Sequence, residues 1–285
     1  MDPQIAHRLW TLFEPIHAVT YFAPETIEIC KAAGLKGGWM GYFASRSAAM
    51  GPVSSEVVVA TFYNFNPAMV RRAIPDAWSF STPEKVLAGR REVAKTALDR
   101  AFGDGLAEDV TAAAKLAGRA VELAHPEGRP LFAAHARLPV PDDVTLALWH
   151  FATCLREHRG DGHVACLVTE GIDGLEAHVM MTAAMGVPPE MQRQFRGWSE
   201  DDWAAAEDRL RSRGLYGASG LTDEGVALRD RIEARTDELA IQPFEELGEA
   251  DTERFEAHLR PIYVAVIATG TVPYPNPMGL PLVDA

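Results

Sequence analysis

The stretch Asp142–Ala165, DDVTLALWHFATCLREHRGDGHVA, decides the predicted fold of this chain. Its first half is apolar on nearly every side, which is typical of a helix that is buried on most of its surface. The next four residues, 156–159, are all ionisable, and Gly160-Asp161-Gly162 follows them. We therefore predict that the helix ends at this glycine pair and that a second helix begins at His163. Charges at the end of a buried helix must be paired, hydrated or in contact with a ligand.

Length and residue usage restrict the class of protein. The 285 residues suffice for one large or two modest domains. No apolar run reaches the roughly 18 residues that a membrane span needs, and the N-terminus lacks the features of a signal peptide. We therefore expect a cytoplasmic protein without membrane contact, whose three cysteines are reduced and buried.

The charge balance argues against a nucleic-acid partner. The chain has 27 basic and 40 acidic residues, a formal net charge of -13. A surface that holds DNA normally carries a basic patch, because neutralised phosphates supply most of the non-specific affinity. We therefore do not expect DNA as a partner.

One segment resembles a known family. RLRSRGLYGASGLTDEGVALRDRIEARTDELA, Arg209–Ala240, is similar to the end of a MarR-type winged helix, in which a helix ends in a basic Gly-Leu sequence, a two-stranded wing follows, and L-T-x-x-G opens the closing helix. This resemblance extends over roughly residues 162–245. The whole chain also resembles an actinobacterial helix-turn-helix-like family, on FEPIHAVTYF (Phe13–Phe22) and LREHRGDGH (Leu155–His163).

The resemblance and the helical patterns together predict a mainly α fold. A helical N-terminal domain, residues 1–140, would pack on a winged-helix (MarR-like) domain, residues 141–270, that contains one small β-hairpin. Capping residues and apolar periodicity predict long N-terminal helices at 82–102 and 106–124. A Pro-rich tail, residues 271–285, would lie over the surface or reach a second subunit.

The predicted DNA-reading helix departs from the DNA-binding pattern. In MarR-like regulators the helix before the wing enters the major groove. Here that helix, residues 199–213, has five acidic residues and three arginines, and the wing tip Gly217–Gly220 has no arginine. Such a surface would repel phosphates. We infer that the scaffold is kept and the DNA-contacting face is lost.

The first candidate site is catalytic. Glu14, His17 and Tyr21 lie three and four residues apart, so they would share one face of a helix that continues past Pro15. A histidine near a carboxylate can act as a general base, and a tyrosine can stabilise an oxyanion. His17 could equally ligate a haem iron, so the cofactor is left unknown with haem as one candidate. The alternative is a core histidine that hydrogen-bonds to a tyrosine or carboxylate.

The second candidate site would bind a ligand. Aromatic and basic residues of 37–46, the charged segment of 156–163 and the methionines near 180 would line a pocket between the two halves. The residues predicted to bind are Trp39, Tyr42, Arg46, Arg156, His158, Arg159, His163 and Met181.

Three interpretations of the charged segment remain open. A metal site would use His150, His158, His163 and His178, but their spacing matches no established zinc motif, so we predict no metal ligands. An anion site would use the helix N-terminus at Gly162 and His163. Alternatively, Asp161 caps the new helix, and its charged neighbours pair with one another.

We therefore interpret the chain as a protein that encloses a small, largely apolar organic molecule on a degenerate winged-helix scaffold, either as a binding protein or as a biosynthetic enzyme. The first alternative is a MarR-like DNA-binding transcriptional regulator. The second is a structural or partner-binding dimer, and the sequence leaves a homodimer open in every case.

Overall fold

The computed structural model describes residues 1–103 and 105–283, and this part of the chain is mainly helical. The elements, in chain order, are α1 (Gln4–Phe22), α2 (Glu25–Ala32), α3 (Gly38–Ser47), a 3-10 turn (Ala48–Met50), α4 (Ser55–Phe62), α5 (Pro67–Arg71), α6 (Ala77–Phe80), α7 (Pro83–Phe102), α8 (Ala107–Leu123), α9 (Pro130–Ala136), α10 (Val144–Thr169), α11 (Gly174–Met185), α12 (Pro189–Arg196), α13 (Glu200–Ser212), β1 (Tyr216–Gly217), β2 (Gly220–Leu221), α14 (Asp223–Ala240), α15 (Gln242–Leu247) and α16 (Glu249–Ala268). None of these helices is both long enough and apolar enough to cross a membrane.

Helix α10 runs unbroken through the centre of the molecule. Asp143 caps its start by accepting a hydrogen bond from the Leu146 N–H, and the helix continues for 26 residues. The predicted end at Gly160-Asp161-Gly162 and the predicted new helix at His163 are therefore wrong. Gly162 instead allows Arg129 to pack closely against α10, because a Cβ at this position would lie 2.7 Å from the Arg129 guanidinium.

The main core joins the beginning, middle and end of the chain. Fully buried side chains of α1, α7, α8, α10 and α16 pack together, among them Leu9, Leu98, Ala117, Leu148 and Leu259. The predicted domain boundary near residue 140 lies in the loop between α9 and α10, and this core draws residues from both sides of it. Because this core packs against much of α10, Glu157, His158 and Asp161 of this helix lie inside the molecule, where they need partners.

The C-terminal part has the predicted hairpin between two helices. Strands β1 and β2 are antiparallel, with Tyr216 opposite Leu221. A capping box of Ser199 and Asp202 starts α13, and Thr222 caps α14. The prediction of a mainly helical chain with a small two-stranded sheet is confirmed for the described residues.

The segment after α16 folds back into the protein. Asn276 is buried, and its side chain donates to the Leu280 carbonyl and accepts from the backbone N–H groups of Met278 and Leu280. The turn presses Gly279 against Met181 of α11. The expectation of a tail lying over the surface is therefore wrong for the buried residues Val272, Asn276, Pro277, Gly279 and Leu280, whereas contact with a second subunit stays a prediction. Asp284 and Ala285 lie outside the described residues.

Candidate functional site

A cavity of about 930 Å³ lies where α1, α3, α10, α11, α12, α14 and the C-terminal segment meet. Its walls combine aromatic and methionine side chains with buried ionisable groups. The predicted site residues that line it are Glu14, Tyr21, Tyr42, Arg46, Arg156, Arg159, His163 and Met181.

Three predicted site residues do not line the cavity. Trp39 is partly exposed and packs on the rings of Tyr42, Phe43, Phe65 and Phe195. His158 is buried against Phe132, and burial lowers its pKa to about 3. His17 lies behind Tyr21 rather than on the wall.

The cavity contains a network of four residues, which we call the charged cluster: Glu14, Arg46, Arg156 and Glu157. Arg46 Nη2 donates to both Glu157 oxygens at 3.1 Å, and Arg156 Nη1 donates to Glu157 Oε2 at 2.8 Å. Arg156 Nε also donates to Glu14 Oε1 at 3.1 Å. Burial alone would raise the pKa of Glu157, but Arg156 and Arg46 hold this pKa well below its ordinary value, so the carboxylate is ionised.

The internal-pairing interpretation of the charged segment holds in part. Arg156 and Glu157 do pair, and Arg159 donates to Asp237 Oδ1 at 2.7 Å. Asp161, however, caps no new helix, since its Oδ2 accepts from the Phe132 N–H of α9. The anion site predicted at a helix N-terminus near Gly162 has no structural basis, because Gly162 and His163 lie inside α10.

His17 and Tyr21 form a hydrogen-bonded pair at the cavity wall. His17 Nε2 lies 2.6 Å from the Tyr21 hydroxyl, and Nδ1 lies 2.9 Å from Thr153 Oγ1. Thr153 donates its own proton to the Trp149 carbonyl, so His17 Nδ1–H donates to Thr153, and Nε2 accepts from Tyr21. The Tyr21 O–H therefore points away from the cavity, and the lone pairs of its oxygen remain for a ligand.

This geometry does not assemble the predicted catalytic group. Glu14 contacts Arg156 and the Trp10 Nε1–H instead of His17. Burial, followed by Arg156 and Arg90, lowers the pKa of His17 well below its ordinary value, and burial raises the pKa of Tyr21 to about 12. Both nitrogens of His17 are engaged, so this residue offers no free nitrogen to a haem iron.

Three of the four histidines of the metal hypothesis have separate side-chain partners. His150 contacts Cys154, His163 lies 3.0 Å from Thr236 Oγ1, and His178 accepts from Arg196. Within residues 1–103 and 105–283, no group of three or more His, Cys, Asp or Glu could hold a metal ion.

Sequence reasoning missed Arg196, a buried cation on the cavity wall. Its Nε donates to His178 Nε2 at 3.2 Å, its Nη2 donates to the Pro277 carbonyl at 2.9 Å, and its guanidinium lies 4.6 Å from the centre of the Phe65 ring. The local sequence places Arg196 at the end of a polar helix, where an arginine is normally exposed. His178, Phe65 and the C-terminal segment, which returns 81 positions later, together bury it.

The arginines of the helix before the hairpin are already engaged. Arg209 pairs with Asp173 and Glu176, Arg211 pairs with Glu207 and Asp208, and Arg213 donates to the carbonyls of Gly171 and Glu170. Glu200, at the start of this helix, is exposed. The surface that would face DNA is thus short of available positive charge.

Comparisons with known proteins identify a family for this chain but no individual relative. No curated protein and no solved structure matches it. The sequence profile of a helix-turn-helix family matches residues 6–273, which is nearly the whole chain, and it includes the cavity-lining residues of α1, α10 and α12. The chain therefore belongs to this helix-turn-helix family.

Proposed function

We propose that this protein binds a small, largely apolar organic molecule in the cavity of about 930 Å³. The observation that carries the proposal is the make-up of the cavity wall. Binding sites for small molecules typically have volumes of roughly 300–1,000 Å³, apolar walls and a few placed polar groups. Phe62, Phe65 and Met180 provide apolar surface on one part of the wall, and Arg46, the Tyr21 hydroxyl and the many other charged side chains of the lining provide polar contacts.

The polar groups are held in place before a ligand arrives. Glu157 fixes Arg46, and His17 orients Tyr21. A pre-organised group loses little conformational freedom on binding, so more of its interaction energy contributes to affinity. If the protein is instead a biosynthetic enzyme, we propose that the Tyr21 hydroxyl takes part in its reaction, because this group is hydrogen-bonded to His17 and lines the cavity.

Mass spectrometry and a fluorescent probe test the binding function. Native spectra of freshly purified protein should show mass added by a bound organic molecule, which denaturation releases. The neutral probe N-phenyl-1-naphthylamine should bind the emptied protein and fluoresce. In the variant Ala177→Trp the new indole would fill part of the cavity, and we expect about tenfold weaker probe binding.

The matched control is Ala204→Trp, which adds the same side chain to an exposed position of α13. This variant should bind the probe like the wild type. Equal affinities of Ala177→Trp and wild type, or a wild type that binds neither cargo nor probe, would contradict the proposal.

The second candidate function is a DNA-binding regulator with a MarR-like winged helix. The family description and the order of α11, α12, α13, hairpin and α14 favour it. The engaged arginines of α13 and the net charge of -13 count against it. Fluorescence anisotropy with promoter DNA at 50 and 200 mM salt separates the two. Tight, sequence-selective binding with a steep salt dependence would favour the regulator.

A cytoplasmic location and a homodimer stay predictions from the sequence.

A further inference from the structure

We infer that the ligand carries a carboxylate group that pairs with Arg196. This inference rests on the proposed function and specifies the chemical class of the ligand: an organic acid with an apolar body. It depends on a difference between Arg196 and the other buried arginines of the cavity.

Arg196 is the buried cavity arginine without an acidic partner. Arg46 and Arg156 both contact Glu157, and Arg159 contacts Asp237. Arg196 is 8 % exposed, and no carboxylate among the described residues lies within 4.0 Å of it. A buried charge without a counter-ion is costly, so a site that keeps one is suited to a ligand that supplies the opposite charge.

The guanidinium of Arg196 is oriented with one edge available. His178 Nε2 accepts from Nε, and the Pro277 carbonyl accepts from Nη2. Among the described residues, Nη1 has no hydrogen-bond partner. Burial, together with Arg46 and Arg156 nearby, lowers the pKa of Arg196 to about 10, so the group remains charged at neutral pH.

The charges around Arg196 favour a single negative charge. The charged cluster is balanced, because its two arginines pair with its two glutamates, so Arg196 beside it contributes one positive charge that no carboxylate of the described residues pairs with. Burial, and next the charge of Arg196, lowers the pKa of His178 well below its ordinary value, so this histidine adds no charge. A carboxylate monoanion balances the charge of Arg196, whereas a phosphate dianion would exceed it.

The wall beside Arg196 suits the apolar part of such an acid. The Phe65 ring lies against the guanidinium, and Met180 and Met181 belong to the same cavity. Methionine side chains adapt to ligands of different shapes. An alkyl or aryl chain can therefore lie along this wall while its carboxylate reaches Nη1.

Head-group variation on one alkyl chain tests the inference. Decanoate, decanol and decyl phosphate are titrated as competitors of N-phenyl-1-naphthylamine at pH 7.5. We expect decanoate to bind about tenfold or more tightly than decanol, because its carboxylate forms an ion pair with Arg196 that a hydroxyl group cannot form. Decyl phosphate should bind less tightly than decanoate. In Arg196→Met the preference for decanoate over decanol should disappear, while decanol binding is kept.

Two further variants complete the experiment. Arg196→Lys keeps the charge and should keep part of the preference, so it serves also if Arg196→Met does not fold. Arg193→Met removes an arginine of the same helix that pairs with Glu200 outside the cavity, and it should leave the preference unchanged.

The outcomes separate this inference from the proposed function. Equal competition by decanoate and decanol in the wild type would overturn the carboxylate inference and leave the binding function standing. Decyl phosphate as the tightest competitor would overturn it in favour of a phosphate ligand. A wild type that binds neither cargo nor the neutral probe would contradict the binding function itself.

Discussion

Arg46 donates from Nη2 to both carboxylate oxygens of Glu157, at 3.1 Å each, across 111 positions of the sequence. This contact joins α3 to the middle of α10, and Glu157 also accepts from Arg156. One buried carboxylate thus neutralises parts of two guanidinium groups on the cavity wall.

Replacing Glu157 by Gln should destabilise the fold strongly. The amide cannot balance Arg46, which is buried and has no other carboxylate partner among the described residues. Removing one partner of a buried ion pair typically lowers the free energy of unfolding by about 3–5 kcal/mol. Urea denaturation followed by circular dichroism measures this change.

The control for Glu157 is Glu170→Gln, which breaks an exposed pair with Arg231. Exposed ion pairs contribute little, because water screens the charges. The denaturation midpoint of the control should stay near that of the wild type. If Glu157→Gln is as stable as this control, the charged cluster does not hold α3 to α10.

Asp161 should make stability fall as the pH rises. Burial raises the pKa of Asp161 to about 7 from its ordinary 3.8, so between these values the folded state binds more protons than the unfolded one. The contribution of Asp161 to stability is therefore complete below about pH 4 and is lost as the pH rises through 7. Asp161→Asn cannot titrate and still accepts from the Phe132 N–H.

Urea denaturation of wild type and Asp161→Asn at pH 4.5 and pH 8 measures this effect. Relative to the variant, the wild type should lose about 2–4 kcal/mol of unfolding free energy between the two pH values. Histidines titrate in both proteins, so their effects cancel in the comparison. A constant difference would mean that Asp161 is ionised throughout.

The sequence predicted those helices whose capping and turn residues lie next to the helix ends. Thr82-Pro83 marks the start of α7, and L-T-x-x-G marks the start of α14, since capping and turn residues act within a few positions. The same local reasoning failed at Gly160-Asp161-Gly162. At Gly162, a larger side chain would leave no space for the guanidinium of Arg129, a residue of the loop before α9. Sequence alone assigns such a glycine to a turn.

The sequence predicted many residues of the cavity wall, but it could not predict which of them contact one another. The spacing of Glu14 and Tyr21 placed both on one face of α1, and both line the cavity. That spacing could not show that Glu14 contacts Arg156 rather than His17, because the partner is 142 positions away. Arg196 depends on a segment that returns from the far end of the chain, so no nearby residue indicated its burial.

His178 should stay neutral in acid and carry its proton on Nδ1. Its Nε2 accepts the Arg196 Nε–H, and an acceptor nitrogen carries no proton. Burial and the charge of Arg196 lower the pKa of His178, so protonation should not occur near pH 6.5. Long-range 1H–15N NMR from pH 8 to pH 5 measures this, and the spectrum of His178→Gln assigns the signals. Protonation in that range would place another group opposite Arg196 Nε.

Asn276 should hold the C-terminal wall of the cavity closed. Its side chain makes three hydrogen bonds to the backbone of residues 278 and 280, and the Pro277 carbonyl next to it accepts from Arg196 and Gln192. Asn276→Ala loses all three side-chain bonds and leaves buried backbone groups without partners, which costs about 1–3 kcal/mol for each group. The segment 272–283 should therefore open more often.

Hydrogen exchange with peptide resolution measures this opening, and probe titration measures its effect on the cavity. In Asn276→Ala, exchange should become faster in peptides of 272–283, and N-phenyl-1-naphthylamine should bind several-fold more weakly because Pro277 and Met278 leave the wall. Asn66→Ala is the control, since it removes an asparagine cap at α5 that does not line the cavity. It should leave exchange in 272–283 and probe affinity unchanged. If Asn276→Ala opens the segment without weakening probe binding, the C-terminal segment does not form a wall of the site that binds the probe.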